Sequence, residues 1–225
     1  MTVFNANGVL QIDETYANLA LIATGQVAAS TQVPGYFVFI YYATVTVSAL
    51  NPLVAVRANY PVALRAVRQS GSQWTFELSV DSKTLDGTPI TYYVFDTPPA
   101  PPAHGVGLQV FNAAGRCTFD SSFKYMLPAG VIALPGGQPI DMNQNLDLGG
   151  LPAGTYAAVL TMDRFAESLN DGELRVDWSS GLQPLPTGVR MRWTPIDQGT
   201  SNAEGSYFRY DGRPSSALML DVSRY

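Results

Sequence analysis

VFNANGVLQIDETYANL, from Val3 to Leu19, and VFNAAGRCTFDSSFKYM, from Val110 to Met126, align without a gap at a constant offset of 107. Six of the seventeen positions are identical: Val3/Val110, Phe4/Phe111, Asn5/Asn112, Ala6/Ala113, Gly8/Gly115 and Asp13/Asp120. Apolar residues also match at Ile12/Phe119, Tyr16/Phe123 and Leu19/Met126. A repeat at this spacing in 225 residues favours two comparable units, each about the size of a small β-sandwich. In each copy a strand meets a turn, centred on Asn7-Gly8 or Ala114-Gly115. A second strand then ends at an Asp suited to hydrogen-bond the next turn. The repeated element reads as an opening hairpin, with Gly supplying backbone freedom and Phe anchoring the core. Beyond it the halves diverge, which favours a duplicated domain over a solenoid.

The stretch TPPAPPAHG, Thr97 to Gly105, carries four prolines and cannot sit inside a sheet, so it reads as a semi-rigid spacer. It lies just before the second copy. The expected organisation is all-β: two tandem β-sandwich-like modules, 1–96 and 106–225, joined by a proline-rich linker at 97–105.

Period-two alternation supports that class. In QWTFELSV, Trp74, Phe76, Leu78 and Val80 share one face, leaving Thr75, Glu77 and Ser79 for solvent. ELRVDW points Leu174, Val176 and Trp178 inward, and VRMRW does the same with Val189, Met191 and Trp193. Ser70-Gly71-Ser72 reads as a hairpin loop, and Asp86-Gly87, Asn170-Asp171-Gly172 and Asp211-Gly212 as further turns. The apolar segment Val33 to Leu50 is rich in β-branched and aromatic residues, so it predicts a buried strand or strand pair rather than a membrane helix. The best helical candidate is the short MDRFAESLN, Met162 to Asn170.

Only 14% of the residues are charged, against about 25% in ordinary soluble domains. Either uncharged polar residues cover the surface or much of it packs against other subunits. A net charge of -5 argues against nucleic acid as a partner. No basic leader precedes an apolar run, so no secretory signal is expected.

Catalytic constellations are sparse. His104 is the sole histidine and sits in the proline stretch, while Cys117, the sole cysteine, aligns with Leu10 and reads as a buried, inert thiol. One His and one Cys do not make a zinc site within one chain, and no phosphate-binding or dinucleotide fingerprint is present. Paired carboxylates could run a glycosidase, but no pair stands out. DMNQNLDLGG places Asp141, Asn143, Asn145 and Asp147 at alternate positions. It departs from a calcium loop at Leu146 and Pro152, so a polar loop is the favoured reading. No catalytic, cofactor-binding or metal site is therefore expected, and no cofactor. For the aromatics, core and interface filling is the favoured reading; the alternative is a receptor or glycan contact, with Tyr207, Tyr210 and Asp211 as the candidate residues.

GLQVFNAAGRCTFDSSFKYM, Gly107 to Met126, resembles a hairpin element of small tail-tip and tail-fibre-associated structural proteins of long-tailed bacteriophages and prophages, in which it often follows a proline-rich spacer. MTVFNANGVLQID is similar to a second instance, and the resemblance covers about forty residues. It implies a non-enzymatic structural protein of the virion, assembled in the host cytoplasm. Expected partners are other tail proteins, with a homo-oligomer or a place in a three-fold assembly, such as docking on a trimeric fibre or hub. The alternative is an adhesin module at the distal tail that binds a host receptor or glycan.

Overall fold

The computed structural model describes residues 3–4, 10–12, 18–34, 40–80, 87–98, 107–115, 117–136, 144–162, 165–170, 174–200, 206–210 and 213–225; at 3–4, 10–12, 170, 207, 208 and 210 it describes the backbone alone. Strands of the first half are β1 (Val3–Phe4), β2 (Leu10–Ile12), β3 (Ala20–Ala28), β4 (Thr31–Gln32), β5 (Tyr41–Ser48), β6 (Leu53–Arg57), β7 (Ala63–Ser70), β8 (Gln73–Val80) and β9 (Pro89–Asp96). Those of the second are β10 (Gln109–Phe111), β11 (Cys117–Asp120), β12 (Pro128–Leu134), β13 (Leu146–Gly149), β14 (Tyr156–Val159), β15 (Phe165–Asn170), β16 (Leu174–Leu185), β17 (Gly188–Thr200), β18 (Tyr207–Tyr210) and β19 (Ser215–Asp221). Among the described residues there is no helix, so the class is all-β as the alternation predicts.

Both copies of the repeat form hairpins in one register. Val3 pairs with Ile12 and Phe4 with Leu10; Val110 pairs with Phe119 and Phe111 with Cys117. Each hairpin has a bulge at the same place, between Val3 and Phe4 and between Val110 and Phe111. Gly115 takes a φ of 76°, which glycine adopts without strain, and its amide donates to the Asn112 carbonyl at 2.9 Å. Asp120 performs the turn role read from its position, accepting from the Ser122 amide at 2.7 Å. The anchoring residue differs from expectation: Val110 is buried, whereas Phe111 is 49% exposed, because neighbouring strand residues point to opposite faces.

The correspondence continues well past the hairpin. A six-stranded antiparallel sheet runs β12-β19-β14-β6-β9-β3, three strands from each half. In each half the first of the three lies at the outer edge, the second at the centre and the last between them. The edge strands share a bulge: Leu21 faces Phe95 and Ala23 faces Val94, as Pro128 faces Leu220 and Gly130 faces Met219. Residues 22 and 129 are the extra ones, again 107 apart. At the centre β6 and β14 pair antiparallel, Val56 with Ala158 and Ala55 with Val159, as corresponding strands do about a two-fold axis. The leads into β3 and β12 cross as well: Leu21 donates to the Lys124 carbonyl at 2.7 Å and Met126 to the Leu19 carbonyl at 2.8 Å. Leu19 and Met126, a matched pair in the sequence repeat, thus sit opposite each other.

The second layer repeats the plan. The order β5-β8-β7 in the four-stranded sheet matches β13-β17-β16 in the five-stranded sheet β13-β17-β16-β15-β18. The two sheets meet where Val62 and Leu182 exchange backbone hydrogen bonds of 3.0 and 2.9 Å. β15 and β18 have no counterpart among the described residues of the first half.

The main core lies between these layers. It takes Val54, Val56, Ile90 and Val94 from the first half of the large sheet, Ala158, Ala217 and Met219 from its second, and Phe76, Leu78, Leu182 and Met191 from the opposing sheets. Intervening residues Ala55, Tyr93, Phe95, Ala157, Val159 and Leu220 form a smaller cluster on the outer face, covered in part by Leu19, Met126 and Tyr225. With both faces buried, strands such as LVAV, YYVF and ALML have no polar side to show. Each fully buried Val, Leu or Phe contributes roughly 1.5–3 kcal/mol.

Strands from both expected modules, 1–96 and 106–225, contribute to the six-stranded sheet and to the main core, through the pairing of β6 with β14. Of the linker at 97–105, residues 99–105 lie outside the described residues. Of the helix expected at Met162–Asn170, Phe165–Asn170 form strand β15, since pairing with β16 and β18 overrides local propensity, and residues 163–164 lie outside the described residues. Within Val33–Leu50, Tyr41–Ser48 form the predicted strand as β5, with Val33 donating to the Ile40 carbonyl at 2.9 Å; residues 35–39 lie outside the described residues.

Candidate functional site

Comparing the halves isolates an arm on the second. β16 and β17 run to 12 and 13 residues, far past the hairpin β7–β8, and β15 and β18 add to the free side of β16. Ala166, Leu169 and Val176 are buried within the arm, and the Trp178 indole donates to the Ser168 hydroxyl at 3.0 Å. Met162 and Phe165 are exposed at its base.

The arm is tied down on one side. The outer part of β17 lies against the four-stranded sheet, where Ser79 donates to the Pro195 carbonyl at 2.9 Å and Arg65 to the Ile196 carbonyl at 2.7 Å. Glu77 and Ser79, expected to face solvent, are buried beneath it. Arg65 and Arg68 both pair with the Glu77 carboxylate, and the Arg65 guanidinium lies 5.0 Å from the centroid of the Tyr42 ring. A buried carboxylate needs such partners.

Strand register assembles a charged row across the arm. Arg209 of β18 faces Glu167 of β15, Glu167 faces Asp177 of β16, and Asp177 faces Asp197 of β17. Three carboxylates thereby occupy adjacent strands. Burial holds the Asp177 carboxyl above the usual carboxylate range; Arg175, 3.2 Å away, opposes this, and the charges of Glu167 and Asp197 reinforce it. One Asp177 oxygen is buried without a hydrogen-bond partner. Arg65 reaches Asp197 at 3.5 Å from the other side. The row gathers residues that lie far apart in sequence, so no local motif announces it.

Of the residues singled out in the sequence, Tyr207 and Tyr210 fall on β18, the outermost strand of the arm, opposite Leu169 and Ala166. Asp211 lies outside the described residues, as do His104 and Asp141 to Asn143. Comparison with family models, with curated proteins and with solved structures finds no match.

Asp147 belongs to β13 rather than to a polar loop, and its two carboxylate oxygens accept from Arg190 at 2.6 and 2.7 Å. That pairing holds the Asp147 carboxyl below its ordinary range. No group of three or more His, Cys, Asp or Glu side chains suited to a metal occurs among the described residues. Cys117 is half-buried, not fully enclosed, and its thiol donates to the Phe119 carbonyl at 3.1 Å. No helix among the described residues is long and apolar enough to cross a membrane.

Proposed function

We propose that this chain is a non-enzymatic structural component of a phage tail tip or tail fibre, assembled through its sheet edges. The carrying observation is that the six-stranded sheet ends in two corresponding strands, β3 (ALIATGQVA) and β12 (PAGVIAL), that contain no charged residue. Edge strands of free-standing proteins are ordinarily guarded by charge, because unpaired backbone groups template association. Val131 on β12 is also 66% exposed, and its side chain would be covered in an assembly. The partners on this reading are other tail proteins or sister subunits, in a virion assembled in the host cytoplasm. A three-fold setting, as three copies or on a trimeric hub, follows the resemblance of the hairpin. Copy counting in purified tails tests the reading: three copies, or a trimeric neighbour, is the expected result. Absence from tails would overturn the assignment.

A second reading is an adhesin, favoured by the arm, whose outer strand carries Tyr207 and Tyr210 and which has no counterpart among the described residues of the first half. Binding of the purified protein to host cells or host surface polysaccharide, abolished in a Tyr207→Ala, Tyr210→Ala double variant, would establish it. No binding would leave the architectural role alone.

A further inference from the structure

A cavity of about 210 Å³ opens where the two halves meet, between the end of β6, the turn before β14 and the β16–β17 hairpin. We propose that it binds a small ligand carrying one carboxylate beside hydroxyl groups, of the size of a single uronic acid. This reading stands apart from the architectural one, because the cavity involves neither the arm's outer strand nor β3 and β12.

The frame of the cavity is fixed by backbone contacts. The Gly154 amide donates to the Pro186 carbonyl at 2.8 Å, the Tyr156 hydroxyl to the Pro152 carbonyl at 2.6 Å, and the Val222 amide to the Thr155 carbonyl at 2.9 Å. A Cβ on Gly154 would fall 2.7 Å from the Tyr156 ring, so only glycine leaves that wall in place. Such a frame needs little reorganisation on binding, which favours a small ligand.

The lining chemistry selects the ligand. Arg57 is the one charged side chain on the wall, and it pairs with no carboxylate among the described residues, although acids outnumber bases in the chain by 18 to 13. One guanidinium matches one negative charge and can hold a carboxylate with two parallel hydrogen bonds. Asn59 and Gln183 each offer a donor and an acceptor, the pattern a hydroxyl-bearing ring requires. Tyr156 and Pro184 supply apolar wall for the C–H face of the ring. The volume is below the roughly 300–1,000 Å³ typical of sites for drug-sized ligands, which limits occupancy to about one ring.

Calorimetric titration of the full chain with glucuronate, glucose and acetate tests this. Glucuronate is expected to bind, with glucose and acetate each weaker by about tenfold or more, since either loses a charge-assisted or a hydroxyl contact. Arg57→Gln should weaken glucuronate by about tenfold or more, and Gln183→Leu by several-fold, with melting temperatures unchanged. No glucuronate binding, equal binding by Arg57→Gln, or acetate binding as tightly as glucuronate would each overturn the proposal.

Discussion

Single carboxylates at strand ends govern local order in this chain. Asp96 closes β9 almost fully buried, accepting from the backbone amides of Leu50, Asn51 and Thr97. Asp96→Asn replaces an acceptor-only group with one that can satisfy fewer amides, and should destabilise the protein by about 1–3 kcal/mol in chemical denaturation. Asp120, Asp147 and Asp221 are all held below the ordinary carboxylate range, Asp120 and Asp221 by hydrogen bonds from serines and Asp147 by Arg190. Groups of this sign stabilise the fold above their unfolded pKa and lose that contribution as pH falls through the folded value. Asp177 has the opposite sign: its raised pKa means that the ionised form opposes folding, and protonation relieves it. Asp177→Asn is therefore expected to raise the melting temperature at pH 7 and to give a smaller gain at acid pH, where the wild-type group takes up a proton. An equal effect at both values would show that packing, not charge, is responsible.

At the scale of elements, β8 and the inner part of β17 were legible because one apolar face alternates with polar residues. Trp74, Phe76, Leu78 and Val80 do pack toward the main core. The hairpin at Gly71 was legible through its turn residues, with Gly71 at a φ of 61°. β15 was not, since MDRFAESLN reads locally as a short helix, and its strand conformation comes from pairing with β16 on one side and the distant β18 on the other. Glu77 was misread for a related reason: alternation tells which face a residue takes, not what later strand covers that face. Close approach is likewise invisible in sequence. A Cβ on Gly188 would lie 2.0 Å from the Leu148 carbonyl oxygen, so Gly188→Ala should separate β13 from β17 and destabilise by about 1–3 kcal/mol, measurable by thermal unfolding.

For the whole molecule, the offset of 107 signalled the duplication, yet its extent exceeded what identity could show. Registers and bulges persist where the residues differ, because backbone geometry is kept by pairing and by apolar character rather than by particular side chains. The side-by-side join of β6 to β14 left no mark in sequence, since LVAV and YAAV read like any buried strands. The shared core makes a definite expectation: calorimetric unfolding should show one cooperative transition whose van't Hoff and calorimetric enthalpies agree. Two resolved transitions would mean that the halves melt as separate bodies. Phe95→Ala, which empties a fully buried site in the outer cluster beside Tyr225, should lower that single transition by about 3–5 kcal/mol of stability.

Pairing of matched central strands about an axis makes this chain resemble a homodimer whose subunits have been tethered. Tethering turns a bimolecular encounter into an internal one, so dilution cannot part the halves. It also removes the obligation of identity that symmetry places on separate subunits. One half is then free to carry an outgrowth such as β15 and β18 while the other keeps the plain scaffold.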